Sequence, residues 1–353
     1  MKIKLLLSLI CLILIISSLT FAENKSGFTP QTYSLEDLQA DFATFKAAIQ
    51  LYHPKLYTNR SELDRLLSNQ TKLLKDKMTE LQFYRILAPI VAKLNCGHTN
   101  LHLSTEYEHY LNINGKFFPL WMKVISDKVY VYQDPFDTGI PLGAEITEIN
   151  GRPMGGIINT LLNNISADGS NLTRKYYIIT SQFNGLYYYV VETPDEFTVK
   201  YIHPLSHQVI QTTIQAILGE KITQKYKSQP TLHLYSQQFE QNYAVLTIRS
   251  FAFYDEPSTN KFKDFINCFF TELRSKKIEN LILDLRNNGG GSPDCSAYLF
   301  SYLIHSPQPY FDNLNLLYPE LIKPIPLAKD HFQGKLFTLI NGGSFSSTGH
   351  LCS

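Results

Sequence analysis

The residues best suited to chemistry lie in two glycine- and hydroxyl-rich turns, each directly after an apolar run. The first reads Asn280-Leu-Ile-Leu-Asp-Leu-Arg-Asn-Asn-Gly-Gly-Gly291. Residues 281–285 are a short apolar run of the kind that makes a buried strand, and the bare Gly289, Gly290 and Gly291 follow. Ser292 and Pro293 then read as a helix N-cap and first helical residue. A loop without side chains lets a substrate reach backbone N–H groups that can hold an oxyanion. The second turn follows the apolar run 336–340 and reads Asn341-Gly-Gly-Ser-Phe-Ser-Ser-Thr-Gly349. A hydroxyl on a strand-to-helix turn is a setting for a serine nucleophile. Each turn alone has a plainer reading, because glycine triplets and Ser-rich loops are common connectors.

In this order and wording the two turns resemble those of the tail-specific, or C-terminal processing, serine peptidases and their tricorn-core relatives. Asp284-Leu-Arg-Asn-Asn-Gly-Gly-Gly291 is close to that family's wording. Its nucleophile follows a turn of the form Gly-Thr/Ser-Ala-Ser, and matching Gly343-Ser344-Phe345-Ser346 to it implies Ser346. The resemblance further implies the Ser347 N–H as one oxyanion donor, Gly290 as the other, and Gly289 and Gly291 as the substrate-binding flanks. Donors of this kind are each worth on the order of 3 kcal/mol of barrier. The hydroxyls of Ser344 and Ser347 are available to cap the following helix instead. The N-terminus of that helix is expected to favour developing negative charge.

A serine hydroxyl needs a base. Cys96-Gly97-His98-Thr99 is similar to the Gly-His-Thr or Ser-His-Thr signature of the tricorn-like branch, where the His is the general base. A capping or core histidine is the plainer reading of His98. A Ser precedes the family's His, whereas Gly97 stands here. His102 falls on the same face as His98 in an alternating strand pattern over 98–104, without comparable support. One family branch uses a Lys downstream of the Ser, the other the His with a downstream Glu. The chain ends at Ser353, within the first turns after Ser346, so His98 is the candidate base and the expected core is a truncated one.

The elements that must position these groups fall into segments. Residues 1–22 read as a secretory signal with a basic start at Lys2 and Lys4, an apolar stretch and a cleavage site at Thr20-Phe21-Ala22; an uncleaved anchor is the alternative. Residues 23–112 read as a helical module ending in the Gly-His-Thr strand. Ser34 with Asp37 and Thr79 with Gln82 are capping-box patterns, Ser61 opens a helix between them, and Gly97 is the expected stop. Residues 113–225 read as β-rich: strands over 118–125 and 129–132 about a Ser126-Asp127 turn, and further strands over 187–191 and 197–202. Gly143-Ala-Glu-Ile-Thr-Glu-Ile-Asn-Gly-Arg-Pro153 with the helical spacing behind it resembles a PDZ domain, which implies peptide binding by strand addition. Residues 222–230 read as a linker. Residues 226–353 alternate strand and helix, as in the crotonase-like α/β core of these peptidases, and residues 306–329 read as an insertion near the cleft. The fold class is therefore α/β with an incomplete catalytic core, an N-terminal helical module and a PDZ-like domain.

Composition bounds the rest. The 353 residues are 44% hydrophobic and 18% charged with a net charge of +1, an ordinary globular balance with nothing that argues for nucleic acid. Cys96, Cys268, Cys295 and Cys352 have neither a disulfide framework's spacing nor a zinc site's, so no metal or cofactor is expected. No segment beyond the signal is long enough to span a bilayer. The expected function is that of an exported serine endopeptidase acting on polypeptides in a periplasm, cell envelope or extracellular space. The alternatives are a non-catalytic peptide- or ligand-binding protein on the same scaffold, or a hydrolase of small esters or lactams.

Overall fold

The computed structural model describes residues 28–53, 59–228, 233–312 and 317–353; the expected signal lies outside them. The N-terminal part is helical. Strand β1 (Thr32–Tyr33) pairs with β2 (Met78–Thr79), and between them run α1 (Leu35–Tyr52) and α2 (Arg60–Thr71). Helix α3 (Glu80–Lys93) opens on a full Thr79/Gln82 capping box, and α1 opens on Ser34, whose hydroxyl accepts from the Asp37 N–H. Asn59, rather than Ser61, caps α2. Leu38, Phe42, Leu63, Leu67, Ile90 and Leu94 interlock between the three helices.

Two expectations fail here. Helix α3 stops before Gly97, at Asn95, which takes the left-handed conformation (φ 52°), a role Asn shares with Gly. Residues 98–104 alternate in polarity but find no strand partner, so they run as irregular chain. They feed α4 (Thr105–Asn114), where Ser104 accepts from the Tyr107 N–H as N-cap.

The middle part is a mixed unit. Strands β3 (Lys116–Phe117), β4 (Trp121–Ile125), β5 (Lys128–Gln133), β6 (Glu145–Ile149) and β7 (Arg152–Pro153) precede α5 (Met154–Leu162) and α6 (Leu172–Val190). Then come β8 (Glu196–Ile202), β9 (Val209–Gln215), β10 (Ile217–Leu218) and α7 (Gly219–Lys227). The sheet order is β4-β5-β6-β8-β9, with β7 on β6 and β10 on β3. Ser126 and Asp127 both carry positive φ, as a two-residue hairpin turn requires. Residues 187–191, expected as strand, continue α6 instead. Their aromatic run suits β propensity, but Phe183 and Tyr187 pack on Phe118, just before β4, and Tyr187 on Phe197 of β8, and packing outweighs propensity. Residues 222–227, expected as linker, belong to α7, whose Ile222 is buried.

The last part is an α/β layer. Strands β11 (Tyr235–Phe239) and β12 (Ala244–Ile248) are antiparallel. Helix α8 (Glu256–Ser275) crosses to β13 (Asn280–Asp284), and α9 (Pro293–Phe300) leads towards β14 (Lys335–Leu339) and α10 (Ser347–Cys352). Strands β12, β13 and β14 are parallel. Phe262, Ile266, Phe269, Phe270 and Leu273 of α8 are buried against Leu246, Leu281 and Leu283, each side chain worth about 2–3 kcal/mol. The Asp284–Leu339 register brings both chemistry-bearing turns out of the same end of the sheet, the carboxyl end where open α/β sheets bind ligands. Leu336, Phe337 and Leu339 of β14 remain exposed. Among the described residues no helix is long and apolar enough to cross a membrane.

Asp284 anchors the end of β13. It is buried, with the Arg286 guanidinium at 2.8 Å and that of Arg249 at 3.3 Å; Arg249 also donates to the Arg286 carbonyl at 2.7 Å. The Arg286 side chain, with its N–H and Arg249 behind it, holds the Asp284 carboxyl below the usual carboxylate range. A depressed folded pKa gives a contribution complete above the unfolded value of about 3.9 and lost as pH falls through the folded one. Asp284→Asn is expected to lower urea-unfolding stability at neutral pH by about 3 kcal/mol, with the gap to wild type closing in acid.

Candidate active site

The two turns meet because their backbones are stitched together. Asn287 N–H donates to Asn341 Oδ1 at 2.9 Å, and Asn341 Nδ2 donates back to Asn287 Oδ1 at 2.8 Å. Phe345 N–H donates to the Asn288 carbonyl at 3.0 Å. The Ser344 hydroxyl donates to the Leu285 carbonyl at 2.9 Å, and the Ser347 hydroxyl to that of Gly291 at 2.8 Å. The hydroxyls of Ser344 and Ser347 thus serve the backbone. Asn288 is fully buried, and its Nδ2 donates to the Ile248 carbonyl at 3.1 Å, tying the loop to β12.

Ser346 stands apart. Its backbone holds φ 56°, ψ −124°, strained for any side chain and of the kind that clusters at functional sites. His98 Nε2 lies 3.1 Å from Ser346 Oγ, although the two residues are 248 positions apart in sequence. The Phe345 ring supports this approach. The His98 imidazole lies over it at 4.6 Å and 31°, and the Arg174 guanidinium from α6 lies 4.6 Å from its centroid. A side chain at Gly97 would meet the Phe345 ring at 2.8 Å, so a larger residue before His98 must displace that ring. His102 is exposed.

Gly290 sits where the turns are closest. A Cβ there would lie 2.7 Å from the Phe345 carbonyl oxygen, 2.8 Å from Ser346 Cβ and 3.0 Å from the Ser347 nitrogen, at φ 92°. Its N–H donates to Asn288 Oδ1 at 2.9 Å. The N–H of Ser347 opens α10 and so has no intrahelical acceptor. Gly289 is exposed, while Gly291 bridges Phe251.

A carboxylate that sequence reasoning missed completes the cluster. Asp168 Oδ1 accepts from the Gly97 N–H at 2.7 Å, and ligand atoms of Cys96, His98 and Asp168 all lie within 4.8 Å of one another. Nothing local in sequence marks Asp168, because its partners are in a different segment. On the other side, burial and the charge of His98 push the His350 imidazole down from its ordinary range, against Asp312 and Asp168. The Tyr310 hydroxyl lies 2.9 Å from the Ser347 carbonyl oxygen, with its pKa pushed up to about 12 by burial. It ties Tyr310 to the start of α10.

Gly290→Ala must place its methyl against backbone in a conformation L-residues avoid. It is expected to lower stability by about 2–3 kcal/mol, measured as a lower urea midpoint, whereas Gly289→Ala, whose Cβ meets nothing within 4 Å, should leave the midpoint nearly unchanged.

Comparison with known proteins bears on the same region. Residues 242–352 match the model of Peptidase family S41. No curated protein matches the chain. Among solved structures, that of mature CPAF complexed with lactacystin superposes with a TM-score of 0.52 at 15% identity, over 78% of this chain and 60% of that one. A CPAF mutant gives 0.57 at 12% identity, over 89% and 80%. These likenesses show a shared fold, and the chain spans about 60% of the length of the first. The family match falls on the layer that carries both turns, so the similarity to Peptidase family S41 is shown for that layer.

Proposed function

We propose that this protein is a serine endopeptidase that hydrolyses polypeptides through Ser346. The observation that carries the reading is the 3.1 Å approach of His98 Nε2 to the hydroxyl of a strained Ser346. Ser346 Oγ attacks the scissile carbonyl carbon while His98 Nε2 takes its proton. The carbonyl electron pair moves onto oxygen, and the Ser347 N–H and the glycine loop hold the resulting oxyanion. Asn288 Oδ1 bonds the Gly290 N–H, and the oxyanion takes its place there. The tetrahedral adduct expels the amine, which leaves with the proton from His98, and water then clears the acyl-enzyme by the same route. The Asp168 carboxylate lies within 4.8 Å of the His98 ring nitrogen on the side of the Gly97 backbone.

The α/β layer is read as a crotonase-like core and the β4–β9 sheet as PDZ-like, presenting a polypeptide by strand addition at an edge. The 1–22 segment is read as an export signal, and on that reading the protein acts outside the cytoplasm. A second reading, peptide binding without turnover, draws on the engagement of the Gly290 N–H.

A fluorophosphonate probe separates the two. It should label Ser346 in the wild type and not in Ser346→Ala, and Ser346→Ala should lose hydrolysis of an unfolded protein substrate. His98→Gln should lower the rate by about 10⁴-fold. Hydrolysis undiminished in Ser346→Ala would refute the peptidase reading.

A further inference from the structure

Three groups of different chemistry converge beside Ser346: the Cys96 thiol, the His98 imidazole and the Asp168 carboxylate. Their ligand atoms lie within 4.8 Å of one another. A tetrahedral zinc with thiolate, imidazole and carboxylate ligands needs edges of about 3.5 Å, within reach of side-chain rotation from that spacing. Sulfur, nitrogen and oxygen together suit a borderline-soft divalent cation, and they suit magnesium or calcium poorly. Three protein ligands leave a fourth position for water, and His98 and Asp168 are exposed, so an ion can enter.

The backbone around the cluster is braced from both segments. Ser166 donates its hydroxyl proton to the Cys96 carbonyl at 2.6 Å. Gly97 N–H donates to Asp168 Oδ1 at 2.7 Å, the kind of bond that orients a metal-ligating carboxylate. Gly169 N–H donates to the Asn95 carbonyl at 2.9 Å. Residues 95–98 and 166–169 are therefore clasped before any ion arrives, which spares much of the ordering cost of a metal site.

We propose that Cys96, His98 and Asp168 form a zinc-binding site whose occupancy switches the Ser346 centre off. Binding releases the thiol proton of Cys96 to solvent and forms a thiolate bond to the metal. A neutral imidazole has one lone-pair nitrogen. If the ion takes Nε2, His98 leaves Ser346. If it takes Nδ1, the proton sits on Nε2, which then faces Ser346 Oγ as a donor and cannot accept its proton. Either way the base is lost while the serine and glycine turns stay in place. The switching half of this proposal rests on the peptidase reading; the binding half does not.

The test uses the full chain and cobalt(II) as a spectroscopic stand-in for zinc. One equivalent of Co²⁺ should give tetrahedral visible bands and a near-ultraviolet thiolate-to-cobalt band, displaced by Zn²⁺. Ser346→Ala should bind as the wild type does. Cys96→Ser should lose the near-ultraviolet band and weaken binding by about a hundredfold or more, and Asp168→Asn should weaken it without removing the band. In the second arm, Zn²⁺ should slow fluorophosphonate labelling of Ser346 at least tenfold in the wild type and be reversed by a chelator, while Cys96→Ser labels equally with and without zinc. A cobalt band that survives Cys96→Ser, or no stoichiometric binding, overturns the site. Labelling indifferent to zinc in a chain shown to bind it overturns the switch. Absence of labelling in metal-free buffer fails the peptidase reading alone, since the cobalt arm reports regardless.

Discussion

The architecture depends on how closely two backbone turns approach at one end of a parallel sheet. Strands β13 and β14 run in register to Asp284 and Leu339, and hydrogen bonds between the turns leave no room for a methyl at Gly290. That contact is expensive to build. It uses bare residues, a buried Asn288 with both amide ends engaged, and an unfavourable backbone at Ser346. The surrounding layer offsets these costs with an aromatic core and with the Asp284–Arg286–Arg249 cluster, which fixes the strand end from which the glycine loop leaves.

The other two parts of the chain act on this contact from outside. The Phe345 ring is the meeting point, with His98 on it from the N-terminal segment and Arg174 from α6. Both groups are oriented by packing on one aromatic side chain, so the histidine's reach to Ser346 depends on where three separate segments settle. The Gly97 gap and the Asp168 hydrogen bond then set the backbone on which His98 rides.

What was legible in the sequence follows from how local each signal is. The 281–285 and 336–340 runs, the Thr79/Gln82 box and the Ser126-Asp127 turn are carried by adjacent residues, and each appears in the fold. The wording of the two turns pointed to the same family whose model matches residues 242–352. Residues 187–191 were misread because an aromatic run has no intrinsic period, and only the sheet beneath it makes it helical. The 98–104 pattern was misread because alternation promises a partner that the tertiary structure does not supply. Asp168 was invisible for the same reason in reverse: its importance comes entirely from folding against residues far away in sequence, and so the Cys-His-Asp cluster has no spacing to recognise.

The wide separation of His98 and Ser346 along the chain has a temporal meaning. Translation delivers the imidazole early and the hydroxyl late, and domains settle in order of emergence. In a nascent polypeptide the two groups are therefore apart, and they meet only after the intervening sheet and helices have taken shape. The approach of the two side chains is thus a product of the finished tertiary structure and of no local segment.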